Sequence, residues 1–156
     1  IRDSYKVNPP LRTQADTQAL KEAVKEGLVD ALATDHAPHL QSEKELEFLA
    51  APFGIASLEC ALGLYVEALI APGVLDWPGL LALMTYRPAA VIGVKKGTLA
   101  EGDRADITII DPDAEYVIDA DKFVSKSRNC PYHGRRVKGR VEKTFVAGEL
   151  RFSADR

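Results

Sequence analysis

The chain has 156 residues, 46% of them hydrophobic and 28% charged, with a net charge of -3. That length allows one domain with a real core. The slightly acidic balance argues against a nucleic-acid or lipid-surface partner, and no apolar run reaches the roughly 18 residues of a membrane span. Two cysteines, Cys60 and Cys130, make neither a disulfide framework nor a CxxC metal site. A single disulfide stays open, and a reducing cytoplasm is the simpler reading. No signal peptide is visible and residue 1 is Ile rather than Met, so the expectation is a cytoplasmic protein whose sequence here starts inside a longer chain.

Residues 1–7 read as a short extended stretch. Asn8-Pro9-Pro10-Leu11-Arg12 is a rigid loop, because two prolines remove donors and fix φ. Thr13 then caps a helix, with Asp16 three residues on as a short-armed capping box. Ala19, Leu20, Ala23, Val24 and Leu28 hold helical spacing, and Gly27 is the stop. Residues 28–33 are short and mostly apolar, which predicts a buried strand running into Thr34-Asp35-His36-Ala37-Pro38-His39. Loop, helix, strand and loop make one αβ unit of a parallel architecture.

Residues 42–49 predict a short acidic helix, broken by Ala51-Pro52-Phe53-Gly54. Residues 57–71 predict the clearest helix, with Leu58, Ala61, Leu62, Tyr65 and Leu69 on one face and Pro72-Gly73 at its end. Residues 76–91 predict another, with Asp76 as N-cap, Trp77-Pro78 in the first turn and Pro88 kinking or dividing it. From Gly93 glycines and β-branched residues take over. Strands are predicted at 105–110, ended by Asp111-Pro112, at 115–118, at 141–147 and at 150–152, with Gly148-Glu149 as a type II′ turn. A boundary near 93 separates a helical α/β part from a small β part.

Asp35 stands where a strand ends and a loop begins, the place where α/β barrels put chemistry. It reads equally as a catalytic carboxylate and as an ordinary turn or cap residue. His36 and His39 beside it are metal-ligand and acid/base side chains, yet one acid and two imidazoles in five residues do not easily converge on one ion. His36 reads as a packed, hydrogen-bonded structural residue and His39 as a partner for a substrate anion. His133 has no carboxylate near it in sequence and reads as a surface turn residue. Asn8 is either a plain turn former or an amide that donates and accepts toward a cyclic imide edge. Phe53-Gly54 is either a breaker or a place where backbone approaches a ligand. Glu43, Glu45 and Glu47 read as a solvated face.

In order, the Asn8–Arg12 loop, Ala33-Thr34-Asp35-His36-Ala37-Pro38-His39, Glu43-Lys44 and Ala51-Pro52-Phe53-Gly54-Ile55 with Leu58-Glu59 resemble the C-terminal third of bacterial class I dihydroorotases. These are zinc amidohydrolases that interconvert N-carbamoyl-L-aspartate and L-dihydroorotate in pyrimidine synthesis. Gly97-Thr98-Leu99, Gly102 to Asp106, and Ser125-Lys126-Ser127-Arg128-Asn129 with Pro131-Tyr132 continue the likeness. Hydantoinases and allantoinases share the Pro-Pro-Leu-Arg and an Asp-His near the last barrel strand. Asn8 and the full run at 35–39 are more like dihydroorotase.

The resemblance implies an α/β fold: the last αβ units of a (β/α)8 TIM-type amidohydrolase barrel at 1–92, then a small β-sandwich-like domain at 93–156. It implies that Asp35 contacts zinc and shuttles the proton of the attacking water, and that Asn8, His39, Phe53 and Gly54 bind substrate. The family's first-strand His-x-His-x-Arg has no counterpart here, so the remaining zinc ligands are expected upstream of this chain. A (β/α)8 barrel takes about 250 residues, so the chain alone is expected to be inactive. Expected partners are the small-molecule substrate, the N-terminal part of the barrel, and a second copy or aspartate transcarbamoylase. Rival expectations are a hydantoinase- or allantoinase-like hydrolase and a non-catalytic subunit that scaffolds aspartate transcarbamoylase.

Overall fold

The computed structural model describes residues 5–94 and 97–154. Residues 1–4 of the expected N-terminal stretch and residues 95–96 beside the expected boundary lie outside the described residues. Thr13 opens helix α1, Gln14–Lys25, with both arms of the capping box. The Asp16 N–H donates to the Thr13 hydroxyl at 3.2 Å, and Asp16 Oδ2 accepts from the Thr13 hydroxyl at 2.8 Å and its N–H at 3.0 Å. Those donors hold the Asp16 carboxyl below the usual carboxylate range. At the other end Gly27 turns left-handed at φ 77. Its N–H bonds Val24 O and the Leu28 N–H bonds Ala23 O, the two closing bonds of a Schellman motif.

The expected strand at 28–33 does not form a ladder. Leu28 is 71% exposed, not buried, and the Leu32 N–H goes to Leu83 O at 3.0 Å. The parallel bridge His36 to Ile55 forms three residues beyond this segment, in the loop that follows it. Apolar character alone does not make a strand; a ladder partner along its length does. The acidic helix is also shorter than its sequence predicts: α2 covers Gln41–Lys44 only.

Residues 58–70 wind continuously, with changing pitch. Leu58–Cys60 is a 3-10 turn, α3 is Ala61–Tyr65, and Val66–Ile70 is a π-helical turn. The wide turn carries the Ala71 N–H back to Val66 O and the Val74 N–H to Leu69 O, five residues each. This shift buries Val66 together with Leu69, while Leu58 at the tight end stays 59% exposed. A uniform helical face does not foresee either. Helix α4, Trp77–Met84, is capped by Asp76, whose Oδ1 accepts from the Gly79 N–H at 2.9 Å. Thr85 breaks the line before α5, Tyr86–Val91. The division falls three residues ahead of Pro88, whose missing N–H leaves Met84 O without its i+4 donor.

The second half is an antiparallel sheet in the order β1-β2-β3: Ile107–Val117, Arg136–Val146 and Glu149–Ser153. Asp111-Pro112 does not end the first strand. Asp111 Oδ1 accepts from the Asp113 and Ala114 N–H groups, and β1 absorbs that Asx turn as a bulge before resuming at Glu115. The β2–β3 turn is Ala147-Gly148, both left-handed at φ 52 and 82, so it is type I′ and one residue earlier than expected.

Two buried clusters flank the 58–70 winding. Val66, Leu69 and Leu80 form one, with Leu32 and Trp77 packed on it. Cys60, Ile118, Ala120, Cys130 and Val137 form the other. Both cysteines are free thiols with sulfurs 3.9 Å apart, and the Cys130 contact together with burial pushes the Cys60 thiol up. Among the described residues no helix is long and apolar enough to cross a membrane.

Candidate active site

The chain segments 33–39 and 52–58 cross, and hydrogen bonds pin the crossing. The Ala37 N–H donates to Ile55 O at 3.0 Å. The Ser57 hydroxyl reaches back to Thr34 O at 2.9 Å, and Tyr65 OH bonds Ala33 O at 3.0 Å. His36 Nδ1 accepts from the Ser57 and Leu58 N–H groups at 3.1 and 3.2 Å. Asp35 stands between these anchors at φ 45, a left-handed backbone that Asp tolerates better than most residues. Its carboxylate is exposed and has no hydrogen bond or ion pair among the described residues.

His36 thus acts as a backbone acceptor, as its structural reading expects. With its Nδ1 lone pair committed, only Nε2 remains for anything else. His39 points the other way. Its Nε2 lies 2.9 Å from Phe53 O, and its Nδ1 3.7 Å from Glu43 Oε2. That carboxylate also accepts the Leu40 N–H at 3.0 Å, so Glu43 is more than a solvated side chain.

Residues 52–54 are held from every side. Lys44 Nζ donates to Pro52 O at 2.7 Å and to Gly54 O at 3.2 Å. Asn129 Nδ2 donates to the same Gly54 O at 2.9 Å. The Gly54 N–H goes to Lys6 O. Lys6 Nζ bonds Leu49 O and Ala51 O at 3.0 and 2.6 Å and lies 4.6 Å from the Phe53 ring centre, a cation–π distance. Gly54 sits at φ 132, where a Cβ would stand 2.6 Å from Ala37 Cβ and 3.2 Å from His39 Nε2. Only glycine allows this approach. Gly54 O already has two donors, so the segment's exposed face is the Phe53 side chain, 54% accessible.

The crossing therefore brings His39 onto Phe53 and Gly54, and Asp35 stands on the same loop, two residues before the Ala37 that Gly54 approaches. Asn8 is exposed in a bend two residues beyond Lys6 and has no side-chain partner among the described residues. The sequence reading missed Lys6, Lys44, Ser57 and Asn129. Lys44 and Asn129 lie inside the motifs that carry the resemblance, which is the signal that marks them.

His133 requires a correction. It does have a carboxylate neighbour: Asp119 Oδ1 is 3.8 Å from its Nδ1, and Asp119, Asp121 and His133 place ligand-type atoms within 4.8 Å of one another. The contact comes from the return of β2 beside the 3-10 turn Ala120–Lys122, which sequence spacing does not reveal. Its atoms are largely committed locally. His133 Nδ1 accepts from the Ala120 N–H at 3.1 Å, and Asp119 Oδ1 caps the Asp121 N–H at 3.2 Å.

A catalytic zinc takes three protein ligands. Asp35 fits as one of them, because an exposed carboxylate without a competing partner is free to bind a cation. His36 retains only Nε2 for such a role, and His39 Nε2 is engaged with Phe53 O.

The amidohydrolase family matches residues 7–151 of this chain. A dihydroorotase of Geobacter metallireducens is 50% identical over 145 residues, covering 93% of this chain and 34% of that protein. A dihydroorotase of Elusimicrobium minutum is 48% identical over 146 residues, covering 94% of this chain and 34% of that protein. The chain thus spans about a third of the length of these relatives. A D-hydantoinase structure from Thermus sp. superposes with a TM-score of 0.89 at 25% identity, over 99% of this chain and 35% of that one. The match over nearly the whole length and the pinned aspartate loop lead to one conclusion: the chain belongs to the amidohydrolase family.

Proposed function

We propose that this chain supplies the acid/base and substrate-binding end of a dihydroorotase, an enzyme for the reversible zinc-dependent hydrolysis of L-dihydroorotate to N-carbamoyl-L-aspartate. The observation that carries the reading is Asp35, a carboxylate with no partner among the described residues, held at φ 45 by a crossing that His36 and Ser57 fix. The 48–50% identity to proteins named dihydroorotase narrows the substrate. In this reading residues 1–92 are the last αβ units of a (β/α)8 barrel and residues 93–156 a small β domain. The other zinc ligands belong to parts of the enzyme outside this sequence.

Bound zinc supplies a nucleophile at neutral pH. Asp35 takes the proton of the attacking water and returns it to the ring nitrogen as the amide bond breaks. His39 and Asn8 meet the substrate carboxylate, and the Phe53-Gly54 segment lies against the ring. A hydantoinase-type substrate is the second reading, favoured by the D-hydantoinase superposition. Steady-state turnover of dihydroorotate, carbamoyl aspartate and hydantoin by the full-length zinc-loaded enzyme tests both. Dihydroorotate turnover well above hydantoin turnover is expected; the reverse preference overturns the first reading.

A further inference from the structure

Asn129 belongs to the strap at 124–131 that runs from Phe123 toward β2, far in sequence from the candidate site. It is 4% exposed. Its side-chain amide donates to Gly54 O at 2.9 Å, and its own carbonyl accepts the Ala56 N–H at 2.9 Å. One residue therefore clasps both sides of Ile55, the partner of His36 in the isolated parallel bridge. The strap that presents it is itself fixed. Glu59 accepts the Val124 and Ser125 N–H groups at 2.9 and 3.0 Å, one on each carboxylate oxygen. The buried Ser127 hydroxyl accepts the Asn129 N–H at 3.2 Å.

We infer that Asn129 is a positioning residue for the candidate active site, acting through Gly54 on the Phe53-Gly54 substrate segment. This rests on the dihydroorotase reading above. The physical route is the planar peptide. Fixing the Gly54 carbonyl fixes the plane of the Gly54–Ile55 unit, and with it the approach to Ala37 that only a glycine permits. Lys44 shares the carbonyl but also pulls on Pro52 O, so it anchors the segment without setting that plane alone. Among the described residues Asn129 bonds Gly54, Ala56 and Ser127, and neither Asp35 nor His39. Its loss should loosen substrate binding and leave the proton-transfer step in place.

The test is Asn129→Asp in the full-length zinc-loaded enzyme, a change that preserves shape and replaces the donor with an acceptor facing Gly54 O. Two readings are taken: hydrogen–deuterium exchange of residues 50–60, and KM and kcat with zinc content as control. Faster exchange there, with KM raised about tenfold, kcat lowered less than about threefold and zinc content unchanged, is the expected result. A purely structural residue would lower thermal stability with KM unmoved, and that outcome overturns the proposal. So does unchanged exchange. If N129D does not fold, Glu59→Ala, at an exposed position of the 3-10 turn that holds the start of the strap, is read by the same two measurements. It should raise KM by about two- to threefold, and an unchanged KM with faster exchange overturns the proposal. If the unmutated enzyme hydrolyses hydantoin and not dihydroorotate, the substrate reading fails while the Asn129 comparison is still decided, on hydantoin.

Discussion

An aspartate and a histidine stand close in sequence at residues 35–39 and in space at residues 119–133, and the two places are built in opposite ways. At residues 35–39 the histidines are the bonded groups and the aspartate is free. His36 Nδ1 holds two backbone N–H groups, His39 Nε2 lies on Phe53 O, and Asp35 has no partner among the described residues. At residues 119–133 both are used locally. Asp119 caps the turn that follows it, and His133 Nδ1 accepts the Ala120 N–H. A ring nitrogen that accepts carries no proton, so in that form the 3.8 Å contact to Asp119 is not an ion pair. Proximity of acid and imidazole does not define a site. What counts is which atoms the surrounding backbone has left unbonded.

The largest effect is expected from Asp35→Asn. If Asp35 is the proton carrier, kcat of the full-length enzyme falls roughly a thousandfold, within the range for loss of a general acid/base. Asp119→Asn should leave kcat within about twofold, because a carbonyl oxygen still caps the Asp121 N–H. Steady-state kinetics on both variants decides it, and equal losses would make the two clusters equivalent.

Gly54→Ala tests whether the crossing is as tight as its distances imply. A Cβ at φ 132 meets Ala37 Cβ at 2.6 Å and Ala37 O at 2.8 Å, so the 35–39 loop or the 52–54 segment must move. KM should rise by about tenfold or more, and stability should fall by about 1–3 kcal/mol. A variant with ordinary KM and an ordinary urea midpoint would mean that the segment is not a close neighbour of the substrate.

His36 separates support from ligation. His36→Phe leaves the Ser57 and Leu58 N–H groups without their acceptor and should cost about 1–3 kcal/mol of stability by chemical denaturation. His36→Asn, whose amide oxygen can take the Nδ1 position, should recover most of that loss. If H36N regains stability but the full-length enzyme loses zinc, then His36 Nε2 is a ligand and the histidine does more than hold the backbone.

Much of the helical part was legible because its signals are local. Thr13 and Asp16 make a capping box three residues apart, Asp76 caps Gly79, and Gly27 closes a turn. The bulge at Asp111 and the type I′ turn at Ala147-Gly148 were misread, since pairing across the sheet overrode a breaker and moved a turn by one residue. The site divides in the same way. Asp35, His39 and Phe53-Gly54 stand out by residue type within 20 positions. Lys6 and Asn129 reach the same segment from the two ends of the chain, and no local pattern shows where they point. The sequence neighbours of His133 hold no carboxylate, whereas Asp119 comes beside it when the chain turns back from β1 to pair β2 with it.

The smallest expected effect is the most discriminating for the second cluster. Asp121 is exposed, and the turn uses its N–H rather than its carboxylate. If the Asp119, Asp121 and His133 group is only a capped turn, Asp121→Asn changes stability by less than about 0.5 kcal/mol. It also leaves the zinc stoichiometry of the full-length protein unchanged when titrated against a chelator. Two of the ligand atoms there, His133 Nδ1 and Asp119 Oδ1, already accept the Ala120 and Asp121 N–H groups, so a cation held through them would cost one of those caps. Loss of one zinc equivalent in D121N, with the Asp35-dependent activity intact, would show that this cost is met and that the molecule carries two metal sites of different construction.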